Sequence, residues 1–149
     1  MASHRRRIRA MQSLIAGTPC FSGQEPTIIN EYQDVYLCRR IRSNKRKLLL
    51  QLLHSTRALD TSLKNFVTYH NCNVNGNSLG SYLRSLIRPH HHSSLSGSLT
   101  RPQVDYFQDK IVNKRNHYVH EAGAFPSSDR EIEILLNEMQ NCLTIVLAL

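Results

Sequence analysis

The chain has no tryptophan, and aromatic residues make up only 7% of it. Apolar residues reach 40%, a lean share for a globular chain. No apolar run approaches the roughly 18 residues that a membrane span needs, so no membrane partner is expected. The longest apolar ending, CLTIVLAL, reads as a helix end docked in a core or an oligomer interface. The four cysteines, Cys20, Cys38, Cys72 and Cys142, form no C-x-x-C pair. Scattered thiols argue against a disulfide framework and fit a reduced, cytoplasmic protein. No Gly-rich phosphate loop, nucleophile elbow or H-E-x-x-H occurs, which removes the chemistries those motifs carry. Acids are missing where bases are dense: the first twenty residues hold four arginines and no Asp or Glu, and none lies between Asp34 and Asp60.

A length of 149 residues suits one domain with a single sizeable core. The net formal charge of +8 is unevenly placed. Residues 1–101 hold fifteen Lys and Arg against four acids, whereas residues 102–149 hold four against seven. That asymmetry points to a polyanion met by the first part of the chain, with solvated helix faces as the competing reading. Arg39, Arg40, Lys45, Arg46 and Lys47 crowd one stretch and are expected to hold phosphates without sequence preference. Residues 1–25 read as a basic, flexible N-terminal arm, with an organellar transit peptide as the alternative. Residues 26–149 read as the helical domain.

From Ile28 to Asn71 there is neither Pro nor Gly. Leu48, Leu52, Leu59, Leu63 and Phe66 recur at helical steps, and Leu49, Leu53 and Val67 widen the stripe. The tract reads as one long helix or as two broken near Ser43-Asn44. NCNVNGNS, residues 71–78, is a loop by composition, and SLGSYLRSLIR is a short helix stopped at Pro89. Pro102 suits a helix start, and Gly123 and Pro126 end that helix. Ser128 followed by Glu131 is a capping-box signature. Ile132, Leu135, Leu136, Met139, Leu143 and Val146 give the last helix its buried stripe. No segment alternates as a strand does, so the expected fold is all-α, most simply a bundle of four to five helices.

One stretch, KRNHYVHEAGAFP at 114–126, raises a question of its own. On an ideal wheel of about 100° per residue, Val104, Phe107, Ile111 and Tyr118 mark an apolar side, with Val112 and Val119 at its edge. Asn116 and His120 fall opposite, one turn apart. Arg115 lands in the middle of the apolar side, where a guanidinium needs a partner or a route to water. Either it snorkels or pairs with a carboxylate from another helix, or it stands beside a cleft and meets a phosphate with paired N–H donors. A histidine such as His120 near a helix C-terminus also suits the helix dipole.

Arg115, then Asn116, His117, Tyr118 and Val119, then His120 resemble the signature of the HEPN superfamily: an Arg, usually followed by a polar residue, and a His after a gap of four to six. The following EAGAFPSSDREIEILLNEM is similar to a HEPN ending, a turn leading into a final amphipathic helix. The resemblance implies an up-and-down bundle of four to five helices. It implies a metal-independent endoribonuclease acting as a homodimer, with the Arg-His helices of two subunits facing each other across an RNA-binding cleft. RNA brings its own nucleophile, the 2′-OH, so a base, an acid and stabilisation of the crowded phosphate suffice. His120 would transfer protons, Arg115 would hold the scissile phosphate, and Asn116 would bond the phosphate or orient His120. His117 and Lys114 are further candidate RNA contacts. RNA is the implied partner, in a toxin or phage-defence setting with an antitoxin or regulatory protein. Some HEPN toxins carry, two residues after the His, a Tyr that a partner enzyme modifies; Ala122 stands there, which argues against that route.

No cofactor is implied. The metal-type residues are His90, His91 and His92, and the His117-x-x-His120 pair. A tight zinc site wants four well-placed N or S ligands, and the cysteines cluster with neither set, so no metal is expected. The alternative function is a non-catalytic HEPN-type module that holds RNA, a nucleotide or a partner protein.

Overall fold

The computed structural model of the chain describes residues 2–88 and 93–149, and among these every regular element is helical. The order is α1 (Ala2–Ile15), α2 (Glu25–Leu37), α3 (Asn44–Tyr69), α4 (Leu79–Ser85), α5 (Arg101–Phe107), a π-helical segment (Gln108–Asn113), α6 (Lys114–His120) and α7 (Asp129–Leu147). The Pro89 stop and the run His90, His91, His92 lie outside the described residues. No described helix is long and apolar enough to cross a membrane.

The long Pro- and Gly-free tract is two helices. α2 gives way to a 3-10 turn at Cys38–Arg40, and Ser43 then opens α3 by accepting the Arg46 N–H at 3.4 Å. A Ser side chain there satisfies one of the donors that a helix start leaves unpaired. At α7, Ser128 Oγ accepts the Glu131 N–H at 3.3 Å. The Glu131 carboxylate, however, reaches back to Ser127, accepting its N–H at 2.8 Å and its hydroxyl at 2.9 Å. The reciprocal half of that cap is thus displaced by one residue. A complete capping box sits instead at α5, where Thr100 and Gln103 each accept the other's backbone N–H, at 3.2 and 2.9 Å.

Helix α3 is the hub, packed by α2, α4, α6 and α7. Its stripe of Leu48, Leu52, Leu59, Leu63, Phe66 and Val67 is buried, and so is the α7 stripe from Ile132 to Val146. Residues 2–15 differ from the flexible arm expected of them. They form α1, which packs on α2 and α7 and buries Ile8, Met11 and Ile15 completely. Those residues stand at i, i+3 and i+7, one face of a helix. Its polar flank is tied down as well: Arg7 Nη1 donates to Asn137 Oδ1 on α7 at 2.6 Å, and Gln12 Nε2 to the Ile29 carbonyl at 3.1 Å. The basic charge of this segment therefore belongs to the folded body.

Candidate functional site

The position of Arg115 follows from the π segment just before it. A π turn closes i→i+5 bonds, so each later residue is rotated away from where a straight α-helical wheel puts it. Val104, Phe107, Ile111 and Val112 keep their buried places, but Arg115 turns off the core side and is only half-buried. It lines an open cleft of about 410 Å³ with Asn116, Val112 and Gln108. Opposite stand Thr56, Arg57 and Asp60 of α3, and Asn77, Ser78, Gly80 and Arg84 at α4. The guanidinium donates from Nη1 to Asn116 Oδ1 at 3.0 Å. Burial pushes the Asp60 carboxyl above the ordinary carboxylate range, and the positive charges of Arg115 and Lys64 hold that rise in check. Arg115 thus stands at the cleft with the Asp60 carboxyl of α3 as a nearby opposite charge.

His120 is the last residue of α6, one turn beyond Asn116 and exposed. It does not line the cleft, and it has no hydrogen bond or ion pair with any described residue. His117 is exposed too, but its Nδ1 lies 2.7 Å from Glu121 Oε2. Lys114 faces the other way, toward Tyr118, Pro126 and Glu131. The structure thus brings Arg115 and Asn116 together in one cleft and leaves His120, Lys114 and His117 outside its lining.

The tie between α6 and α7 is the Tyr118 hydroxyl, which donates to Glu131 Oε1. Burial pushes the Glu131 carboxyl up, but the hydrogen bonds from Tyr118 and Ser127, with Lys114 nearby, outweigh it and leave it below the ordinary range. A depressed folded value stabilises the fold above the unfolded Glu value of about 4.3 and loses that contribution as pH falls through the folded one. The stability gap between wild type and Glu131→Gln, read from urea midpoints, is therefore expected to shrink on acidification below about pH 4. A constant gap would place the effect outside this carboxylate.

The basic cluster splits into engaged and free members. Arg39 lies over the Tyr36 ring at 4.2 Å, Lys45 over Phe125 at 4.7 Å, and Lys47 pairs with Asp129 at 3.0 Å. Arg40 and Arg46 are exposed and make no ion pair or ring contact with the described residues. Replacing both with Ala is expected to reduce the salt dependence of single-stranded RNA binding by about 1.4 in log–log slope, roughly 0.7 per lost phosphate contact. An unchanged slope would put these two residues away from RNA.

No family model, curated protein or solved structure matches the chain. The site is therefore argued from its own residues. Arg57 and Arg84 escape a sequence reading because they are far apart in the chain and sit on exposed faces; the one signal nearby is Arg115 on an apolar helix side, which calls for a partner or a route to water. A second set also went unread: Glu31, Asp34 and His54 bring donor atoms within 4.8 Å of one another. There Glu31 Oε1 meets His54 Nδ1 at 2.8 Å and Arg57 Nε at 3.3 Å. Arg57 supplies the positive charge beside that carboxylate, and the set is described by this ion-pair network.

Proposed function

We propose that the chain is a metal-independent endoribonuclease of HEPN type, acting on RNA as a homodimer. The observation that carries this reading is the convergence of Arg57, Arg84 and Arg115 with Asn116 in one open polar cleft against a single carboxylate, Asp60. Such a cleft favours a phosphodiester, which matches guanidinium donors in charge and geometry. Arg115 and Asn116 hold the non-bridging oxygens of the scissile phosphate. His120, exposed and unpaired among the described residues, takes the proton of the 2′-OH. The 2′ oxygen then attacks phosphorus, the P–O5′ bond breaks, and the 5′ oxygen takes a proton from His120 of the second subunit. The products are a 2′,3′-cyclic phosphate and a 5′-hydroxyl. As the resemblance implies, such an enzyme serves as a toxin or phage-defence effector, restrained by an antitoxin or regulatory protein.

One observation favours a second reading. His120 stands outside the cleft that holds Arg115, as suits a module that binds RNA or a nucleotide without cutting it. Incubation of purified protein with labelled RNA in EDTA, followed by end-group analysis, separates the two. Cyclic-phosphate ends support the ribonuclease. Saturable binding with intact RNA at every protein concentration moves the binding module ahead.

A further inference from the structure

We propose that Asp60 reads a guanine base of the bound RNA by accepting its N1–H and N2–H, so that the arginine cleft selects strands with guanine beside the phosphate it holds. The inference deepens the RNA reading of this cleft and rests on it.

The observation that carries it is a carboxylate left uncommitted among positive charges. Asp60 shares the cleft wall with Arg57, Arg84 and Arg115, and it is the one acid among the described lining residues. Each arginine is bonded elsewhere: Arg57 Nε to Glu31 Oε1 at 3.3 Å, Arg84 Nη2 to Ser81 Oγ at 3.2 Å, and Arg115 Nη1 to Asn116 Oδ1 at 3.0 Å. Arg115 and Lys64 act on the Asp60 charge from a distance, but no described residue gives it a hydrogen bond or an ion pair. The side chain is half-buried, and neither carboxylate oxygen is sealed from solvent. The side-chain carbonyls of the same wall are engaged or closed off. Asn116 Oδ1 accepts from Arg115, Asn77 Oδ1 accepts from the Tyr82 hydroxyl at 2.7 Å, and Gln108 Oε1 is sealed from solvent.

This arrangement narrows the occupant. A bare phosphate would gain from the arginines but meet a like charge at Asp60, and a cation would meet three guanidinium groups. A nucleotide suits both: its phosphate takes the arginines, and its neutral base offers N–H donors to the carboxylate. The cleft volume of about 410 Å³ lies within the range of pockets that enclose small ligands.

The carboxylate also decides between bases. When ionised it only accepts, through two oxygens side by side. Single-stranded RNA leaves its Watson–Crick edges open to be read, and there guanine alone sets two donors next to each other, N1–H and N2–H. Adenine and cytosine each follow their amino group with an acceptor nitrogen, and uracil flanks N3–H with two carbonyls. Each of those turns a lone pair toward the second oxygen of Asp60.

The test is equilibrium binding in EDTA, by fluorescence anisotropy, of 2′-fluoro oligonucleotides, which bind without being cut because the attacking hydroxyl is missing. The strands are oligo-U and its counterparts with one central G, A, C or inosine. The G strand is expected to bind about fivefold or more tighter than the A, C and U strands, with inosine, which lacks the N2 amino group, between them. Asp60→Asn is expected to erase the preference while binding the A, C and U strands at least as tightly as wild type does, which also shows that the variant folds. Arg115→Ala is expected to weaken every strand and keep their order. Equal binding of all strands by wild type, or a guanine preference that survives in Asp60→Asn, overturns the base reading and leaves the ribonuclease reading standing. A wild type that binds no strand overturns both. Competition by 5′-GMP as tight as the G strand would make the ligand a free nucleotide and overturn the assignment to RNA.

Discussion

Arg115→Ala is expected to lower single-turnover RNA cleavage by about 10²- to 10³-fold, the usual loss when one preorganised donor to a developing oxyanion is removed. The fold is expected to survive, because the side chain is half-buried and its one hydrogen bond runs to its own neighbour, Asn116. Arg115→Lys is expected to recover little, since a point charge does not replace the paired N–H donors. His120→Ala should cost a comparable amount, about 10²- to 10⁴-fold, through loss of proton transfer. The two variants differ in a second readout. Removing Arg115 weakens RNA binding and raises its dependence on the remaining basic groups, whereas removing the exposed His120 leaves affinity near that of wild type. If either variant cuts RNA at the wild-type rate, its side chain has no part in the chemistry.

These expectations rest on a position that the sequence pattern misplaced, for a clear physical cause. A helical wheel assumes 3.6 residues per turn throughout, and the π segment at Gln108–Asn113 breaks that assumption. Val104, Phe107 and Ile111, before or within it, fall where the wheel puts them; Arg115, just after it, does not, and Val119 ends 36% exposed. Periodicity read α3 and α7 well because their apolar stripes run for four or more turns. The arm expected at α1 rests on composition instead. Its stripe is three residues long, and the arginines at 5, 6, 7 and 9 dominate the local composition. The cleft was legible only on the Arg115–Asn116 side. Its other wall is assembled by tertiary packing of α4 against α3, which no local pattern encodes.

Met11→Ala is expected to lower the melting temperature by roughly 4–20 °C. Truncating a fully buried methionine costs about 2–5 kcal/mol, and about 2–4 °C accompanies each kcal/mol in a chain of this size. Arg6→Ala and Arg9→Ala, on the exposed side of the same helix, are expected to change stability by only about 0.5 kcal/mol or less, a melting shift of about 1–2 °C at most. The contrast separates two accounts of residues 2–15. A mobile basic arm would show no loss at Met11, and its arginines would act only through RNA affinity. A packed helix loses stability at Met11 and keeps it at the arginines, because Ile8, Met11 and Ile15 fill the groove between α2 and α7.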